Sequence, residues 1–202
     1  MSRVGKIIIN IPNGVRVEYA DSVVTVTGSK GELRQEIKSS AIYVVIENNQ
    51  VFVKRSNDES QTKALHGLYN KLIQNMIEGV TKGFTKTLIL NGVGYKANLK
   101  GADLTLNLGH SHPCEVKAEE GVTFKVCTPQ EIQNLKETGV VKQASGADKE
   151  VVVQVSGADK EKVGSMASRI RGLRPVEPYH LYGIRYSDEK IVRKESKSGK
   201  KK

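Results

Sequence analysis

Large aromatic residues and cysteines are scarce in this sequence. It has no tryptophan, three phenylalanines and two cysteines among 202 residues. So few large side chains favour two modest hydrophobic cores over one large core, and we expect two small domains. Cys114 and Cys127 are too few to suggest a disulfide framework in a chain of this size.

Long hydrophobic runs are also missing. No run approaches the length needed to span a bilayer, and the apolar stretch at the N-terminus is too short and too polar for a signal peptide. We therefore predict a cytoplasmic protein with no membrane role.

Acidic residues are in the minority, and the excess of positive charge is localised. The formal net charge is +10, and the segment from Lys162 to the C-terminus holds twelve Lys or Arg against four Asp or Glu, a net +8. The first 161 residues are therefore nearly neutral. A pI near 9.5 predicts a polyanionic partner, which is either a nucleic acid or an acidic membrane surface.

The basic segment is also rich in aromatic rings. Between Arg169 and Tyr186 the chain reads RIRGLRPVEPYHLYGIRY, with four arginines, three tyrosines, one histidine and a single acid, Glu177. Cations suit phosphates, while rings and guanidinium planes suit exposed bases and sugars. The pattern predicts a surface for folded RNA.

Short β-branched runs, separated by turn residues, fill the first half of the chain and predict an antiparallel meander. A helix should follow, capped by Asp58 or Ser60 and ending at Gly79, with Leu65, Leu68, Leu72 and Met76 on its buried face. The second half repeats this order, and there Val163, Met166 and Ile170 have the same helical spacing. We infer an internal duplication.

The predicted fold is α+β, with two tandem homologous domains, each a small antiparallel β-sheet packed with one helix. The N-terminal domain should span residues 1–82 and carry an extended N-terminal arm. The C-terminal domain should span 83–186, with a surface insertion at about 129–148 that contains a short helix ending at Gly139. Residues 187–202 are predicted to be a basic tail, too polar to fold alone.

Four stretches together resemble the bacterial large-subunit ribosomal protein six family. They are SRVGK at the start, GVGYKA at Gly92–Ala97, LTLNLGHSHP ending at Pro113, and RPVEPYHLYGIRYSDE near the end. The resemblance covers nearly the whole chain. It departs from the family in two places. The family usually reads PYKGKG where this chain has Pro178 to Gly183, so that His180 and Tyr182 stand where lysines are expected, and the insertion after Thr128 is longer than the family leads us to expect.

The resemblance implies a non-enzymatic constituent of the large ribosomal subunit. It implies binding to large-subunit rRNA, mainly through the C-terminal domain and near the sarcin-ricin loop, with neighbouring ribosomal proteins and translation factors docking close by. Combined with the charge pattern, it yields a set of candidate phosphate partners: Arg169, Arg171, Arg174, Arg185, Lys190, Arg193, Lys194 and Lys197. Tyr179, His180 and Tyr182 are the candidate packing or stacking contacts, and Arg3 and Lys6 form a secondary basic set.

Two alternative functions remain open at the level of the sequence. A small metal-dependent or thiol enzyme could use His110, His112, Cys114 and Cys127, although Pro113 interrupts their strand and no paired C-x-x-C is present. A free RNA-binding regulator would share the charge but not the family motifs. We favour the ribosomal interpretation, and predict no catalytic residues, no metal, no cofactor and no small-molecule substrate.

Overall fold

The computed structural model of the chain describes residues 4–138, 140 and 150–195. The chain divides into two compact units. The first comprises the residues up to Phe84 together with Ala158–Lys160, and the second comprises Thr85–Gly157 and the residues from Glu161 onwards. Each unit combines small antiparallel sheets with helices, so the predicted α+β fold with two repeated halves is confirmed.

The first unit has six strands in two three-stranded sheets. The strands are β1 (Ile9–Asn10), β2 (Arg16–Ala20), β3 (Val23–Gly28), β4 (Gly31–Glu36), β5 (Ile42–Glu47) and β6 (Gln50–Arg55). One sheet has the order β2-β3-β4 and the other β1-β6-β5. The predicted meander is therefore divided between two sheets, and β1 brings the N-terminal segment into the second of them.

Tight turns join these strands where the sequence places small polar residues. Asp21 and Ser22 connect β2 to β3, and Asn48 and Asn49 connect β5 to β6; all four have positive φ. Two successive left-handed residues form the turn whose twist matches that of a β-hairpin, and Asn and Asp tolerate this conformation better than most residues.

The helix of the first unit, α1 (Ser60–Thr81), differs from the prediction in its buried face. His66, Tyr69 and Ile73 are buried, each one position later than the predicted leucine, whereas Leu68 is 50% exposed and Leu65 and Leu72 are half-buried. Met76, the fourth predicted residue, is buried, and Leu65 and Leu72 pack against the core. The predicted leucine stripe therefore lies beside the most buried stripe of the helix.

Both ends of α1 also differ from the prediction. The N-cap residue is Glu59, which makes no side-chain capping hydrogen bond, so neither Asp58 nor Ser60 caps the helix. The helix continues past the buried Gly79 to Thr81 and ends where Gly83 adopts a left-handed φ of 76°. The Gly83 N–H donates to the Glu78 carbonyl at 3.2 Å, so this glycine closes the last turn.

Within its described residues, the second unit contains seven strands and two helices. They are β7 (Phe84–Asn91), β8 (Lys96–Lys100), β9 (Asp103–Asn107), β10 (Cys114–Val116), β11 (Val122–Val126), α2 (Pro129–Glu137), β12 (Val151–Gly157), α3 (Lys160–Leu173) and β13 (Gly183–Tyr186). One sheet has the order β10-β9-β8 and the other β11-β12-β7-β13. The first strand of the unit, β7, therefore lies between the last two.

The short helix predicted inside the insertion is present as α2. Its start is fixed by a capping box, because the Thr128 N–H donates to the Glu131 carboxylate at 2.9 Å and the Glu131 N–H donates to Thr128 Oγ1 at 3.4 Å. Its predicted end at Gly139, and residues 141–148 of the predicted insertion, lie outside the described residues.

Candidate nucleic-acid interface

Helix α3 positions the start of the basic segment. Val163, Met166 and Ile170 are buried, as the sequence predicts, and this fixes which side of the helix faces solvent. Arg169 lies on the exposed side. The helix ends at Leu173, two residues before Pro175, because a proline disfavours helical geometry at the residue before it and supplies no N–H of its own.

Arg171 is engaged inside the unit. Its Nε donates to Glu189 Oε2 at 3.0 Å, a second guanidinium nitrogen donates to the other carboxylate oxygen, and the guanidinium carbon lies 5.7 Å from the centre of the Tyr186 ring. The pair is half-buried. The hydrogen bond to Arg171 is the main cause that lowers the pKa of Glu189, and the same bond raises the pKa of Arg171. Arg171 therefore holds the segment after β13 in place.

The ring of Tyr186 is flanked by a second cation. Lys86 Nζ lies 5.6 Å from the ring centre and 3.7 Å from Asp188 Oδ2. Because Tyr186 is also hydrogen-bonded through its N–H to Glu189 at 3.2 Å, these groups form one small polar network at the end of β13.

The loop from Glu177 to Tyr182 presents two stacked rings to solvent. The ring centres of His180 and Tyr182 are 5.9 Å apart and their planes differ by 14°. Both side chains are exposed, as is that of Tyr179. His180 Nδ1 lies 3.4 Å from Glu177 Oε2. All three predicted ring contacts are therefore on one solvent-facing loop.

The residue between the two stacked rings, Leu181, has a left-handed φ of 63°. Its N–H donates to the Glu177 carbonyl at 3.0 Å, and the Glu177 N–H donates to the Tyr182 carbonyl at 2.9 Å. The side-chain amide of Asn91, at the end of β7, donates to the Leu181 carbonyl at 3.0 Å. The sequence analysis did not identify Leu181 or Asn91, and the sequence carries no local signal for this contact.

The segment after β13 returns to the same loop. The Lys194 N–H donates to the Pro178 carbonyl at 3.0 Å, and Arg193 Nε donates to the Tyr179 carbonyl at 3.1 Å. The first part of the predicted tail is therefore attached to the second unit. The side chains of Lys190, Arg193 and Lys194 are exposed, whereas Lys197 lies outside the described residues.

Arg174 and Arg185 are less accessible than the other predicted cations. Both are half-buried, and the Arg174 carbonyl accepts a hydrogen bond from the Ile184 N–H at 2.8 Å. One guanidinium nitrogen of Arg185 is buried and has no hydrogen-bond partner among the described residues. Arg193 and Lys194 are thus exposed cations on the segment that is hydrogen-bonded to the loop carrying the rings.

The secondary basic set is in the first unit. Arg3 lies outside the described residues, and Lys6 is exposed. The segment around Lys6 is fixed to α1, because the Asn70 side-chain amide lies 2.9 Å from the carbonyl oxygens of both Gly5 and Ile7. The predicted N-terminal arm is therefore anchored at these residues.

The residues considered for an enzyme are a buried cysteine, a half-buried cysteine and two stacked histidines. Cys127 is buried beside Ile89 and Val152, and burial raises the pKa of its thiol, which disfavours the reactive thiolate. The rings of His110 and His112 stack on each other at 6.2 Å. Among the described residues, no group of three or more His, Cys, Asp or Glu could hold a metal ion.

A pocket of about 300 Å³ lies beside α2 and is lined by Lys125, Cys127, Glu131, Asn134, Leu135, Thr138 and Gln154. Its charged groups are already paired, since Lys125 contacts the Glu131 carboxylate at 2.5 Å. The hydrogen bonds from Lys125 and Thr128 lower the pKa of Glu131 to about 2. This ion pair supports the start of α2 and engages both charged residues that line the pocket.

Within the residues that the structure describes, no helix is long and apolar enough to cross a membrane.

Known proteins resemble this chain over nearly its full length. A family model described as Ribosomal protein L6 matches residues 11–83. The large ribosomal subunit protein uL6 of Clostridium novyi is 49% identical over 201 residues, which cover 99% of this chain and 100% of that relative. The protein of the same name from Staphylococcus carnosus is 46% identical over 200 residues, with 99% and 100% covered.

Proposed function

The chain belongs to the ribosomal protein L6 family, and from this premise we propose that it binds large-subunit rRNA, mainly through the C-terminal segment of its second unit. Membership makes it a constituent of the large ribosomal subunit, and thus part of the cytoplasmic ribosome and of translation. The proposal adds the surface and the mode of binding.

One observation carries the proposal: an exposed basic segment is hydrogen-bonded to the loop that carries the exposed rings. Arg193 and Lys194 contact the backbone of the loop that carries Tyr179, His180 and Tyr182. Cations neutralise phosphates, and exposed rings accept sugars and unstacked bases. Most of these contacts carry no sequence information, so specificity would come from the shape of the RNA.

The proposed site has parts with different roles. Arg169, Lys190, Arg193 and Lys194 are exposed and are proposed as direct phosphate partners. Arg171 contributes by fixing Glu189, and Arg174 and Arg185 contribute from half-buried positions. Lys197, Arg3 and Lys6 complete the proposed set on the basis of charge alone.

Three finer parts of the proposal rest on the family resemblance and on the charge pattern. The site would lie near the sarcin-ricin loop, with translation factors and neighbouring ribosomal proteins close by. The two domains would have their boundary near residue 82, and a basic tail would follow residue 186.

An RNA-binding titration with the full chain tests the proposal. One variant replaces Arg169, Lys190, Arg193 and Lys194 by Ala, and a matched control replaces four exposed cations of the first unit, Arg16, Arg34, Lys54 and Lys71. Filter binding to large-subunit rRNA is measured at several salt concentrations. Each lost phosphate contact should make the slope of log affinity against log salt shallower by about 0.7 to 0.9, so the first variant should lose about 3.

The control variant removes the same formal charge and should keep nearly the full slope. If both variants lost the same slope, or if neither did, the C-terminal segment would not be the binding surface. A protein that binds rRNA but does not sediment with large subunits in a cell lysate would instead be a free regulator.

A further inference from the structure

The loop between Glu177 and Gly183 is held in a strained conformation. A left-handed φ is unfavourable for a residue with a bulky side chain such as Leu181. Gly183 follows with φ 135°, and a Cβ at this position would lie 2.7 Å from the Pro175 carbonyl oxygen. Strain of this kind persists only where the surrounding contacts determine the conformation, and such positions concentrate at binding sites.

The surrounding contacts come from two parts of the second unit, the end of β7 and the segment after β13. Asn91 at the end of β7 donates to the Leu181 carbonyl, Lys194 donates to the Pro178 carbonyl, and Arg193 donates to the Tyr179 carbonyl. The loop is therefore ordered before any partner binds. A preordered loop loses less entropy on binding than a mobile one.

The result of this strain is a flat, solvent-facing pair of rings. His180 and Tyr182 flank Leu181 and stack nearly parallel, with planes 14° apart. At a separation of 5.9 Å between centres the two rings stack on each other, so a third ring would stack on an outer face of the pair. An outer face of the pair can therefore accept one further flat group.

The charges around the pair favour a neutral flat group over a phosphate. The Glu177 carboxylate lies 3.4 Å from His180 Nδ1, where it would repel a phosphate placed against the ring. The exposed cations Arg193 and Lys194 lie on the segment that is hydrogen-bonded to the carbonyls of Pro178 and Tyr179, between Glu177 and His180. A nucleotide fits this arrangement, with its base on the rings and its phosphates toward the cations.

We infer that the His180–Tyr182 pair is a stacking platform for one unpaired nucleobase of the rRNA, and that Leu181 and Asn91 are positioning residues that hold the pair in place. This inference rests on the proposed function and deepens it, since it assigns base stacking to one point of a surface otherwise devoted to phosphates. Stacking of a base on an aromatic side chain adds affinity without a phosphate contact, so its loss should weaken binding without changing the salt slope.

The absence of tryptophan from the sequence provides the first test. The Tyr182→Trp variant of the full chain carries a single tryptophan on the platform, and Tyr43→Trp is the matched control, because Tyr43 is also 43% exposed but lies in the first unit. Each is titrated with large-subunit rRNA, and indole fluorescence is recorded. A base stacked on the indole should quench the emission of the first variant and leave that of the control nearly unchanged.

Affinity and salt dependence provide the second test. Tyr182→Phe should bind large-subunit rRNA like the unmodified chain, while Tyr182→Leu should bind roughly 10- to 100-fold more weakly with an unchanged salt slope. Arg193→Ala should instead make the slope shallower. Circular dichroism of each variant confirms that it is folded.

The outcomes separate this inference from the proposed function. Binding of rRNA at full affinity by Tyr182→Leu, without quenching in Tyr182→Trp, would overturn the platform and leave the phosphate surface intact. A shallower salt slope for Tyr182→Leu would also overturn it, because the ring would then act by holding cations. If the unmodified chain does not bind rRNA, the proposed function itself is wrong.

Discussion

The two units share the start of a helix and differ in how the helix ends. His66, Tyr69 and Ile73 in α1 are buried at the same relative spacing as Val163, Met166 and Ile170 in α3. Beyond the shared part, α1 continues to Thr81, whereas α3 stops at Leu173. The two halves therefore diverge after Ile73 in the first unit and after Ile170 in the second.

The reason for the difference is local and chemical. In the first unit the continuing helix buries Ile77 and Val80, and Gly83 closes it. In the second unit Pro175 prevents the extra turns, and the chain forms the loop that carries the exposed rings. The first half thus uses this part of its sequence to extend a core, and the second half uses it to build a surface.

The largest expected effect concerns the shared part of the helices. Ile73 and Ile170 are both fully buried, so Ile73→Ala and Ile170→Ala should each lower the free energy of unfolding by about 2–5 kcal/mol through the cavity they create. If the units have separate cores, each loss should be confined to one unit. Hydrogen exchange of the full chain, measured peptide by peptide, detects where protection is lost.

Equal loss of protection in both units with either substitution would contradict separate cores. The surface substitution Lys71→Ala on α1 is the control, and it should leave the exchange pattern unchanged.

A smaller effect should distinguish Gly83, which closes α1, from Gly183, which begins β13. Gly183→Ala places a Cβ 2.7 Å from Pro175 and Val176 in a region of φ that alanine avoids. The free energy of unfolding should therefore fall by about 2–4 kcal/mol, and rRNA binding should weaken. Gly83→Ala, at φ 76°, should cost about 1 kcal/mol and leave rRNA affinity unchanged. Chemical denaturation measures the free energy of unfolding, and filter binding measures the rRNA affinity. Equal effects of the two substitutions on affinity would mean that the two glycines do not differ in function.

The smallest effect comes from an ion pair. The pKa of Glu189 is lowered in the folded state, so the stabilisation it provides is present above the usual carboxylate pKa of about 4.3 and is lost as the pH falls through the lowered value. Glu189→Gln should therefore cost about 1 kcal/mol at pH 7, and the difference from the unmodified chain should shrink below about pH 4.

The first unit offers a matched ion pair for this experiment. Arg34 and Glu32 are both exposed, so Glu32→Gln should change the free energy of unfolding by less than about 0.5 kcal/mol at any pH. Denaturation of both variants across the pH range measures the contrast. A Glu189→Gln cost that does not change with pH would show that the Arg171 pair is not its source.

Most of the strands, the hairpins between them and the repeated order of elements could be predicted from the sequence because they depend on neighbouring residues. The strands β1, β2, β10 and β13 were not predicted. Asn48 and Asn49 form a tight turn wherever they stand between two β-branched runs, and Val163, Met166 and Ile170 mark the buried stripe of α3 on their own. The charge of the C-terminal segment is likewise a property of the sequence alone.

The errors arose where distant residues decide the outcome. His66 and Asn70 are polar, yet both are buried, because Val53 and the N-terminal segment supply the carbonyl groups that satisfy them. A local pattern therefore favoured the leucines beside them. The contact of Arg171 with Glu189 and that of Asn91 with Leu181 were likewise invisible, since each joins residues far apart in the sequence.

The position of β7 in its sheet affects the order in which a newly made chain can fold. In the first unit each of the strand pairs β2–β3, β3–β4 and β5–β6 joins consecutive strands, so these hairpins can form soon after their residues emerge from a translating ribosome. In the second unit β7 pairs with β12 and β13, the last two strands to be synthesised. Asn91 can therefore pair with Gly183 only when nearly the whole chain has been made. The rRNA surface proposed here would therefore be the last part of the protein to form, after its N-terminal half has already folded.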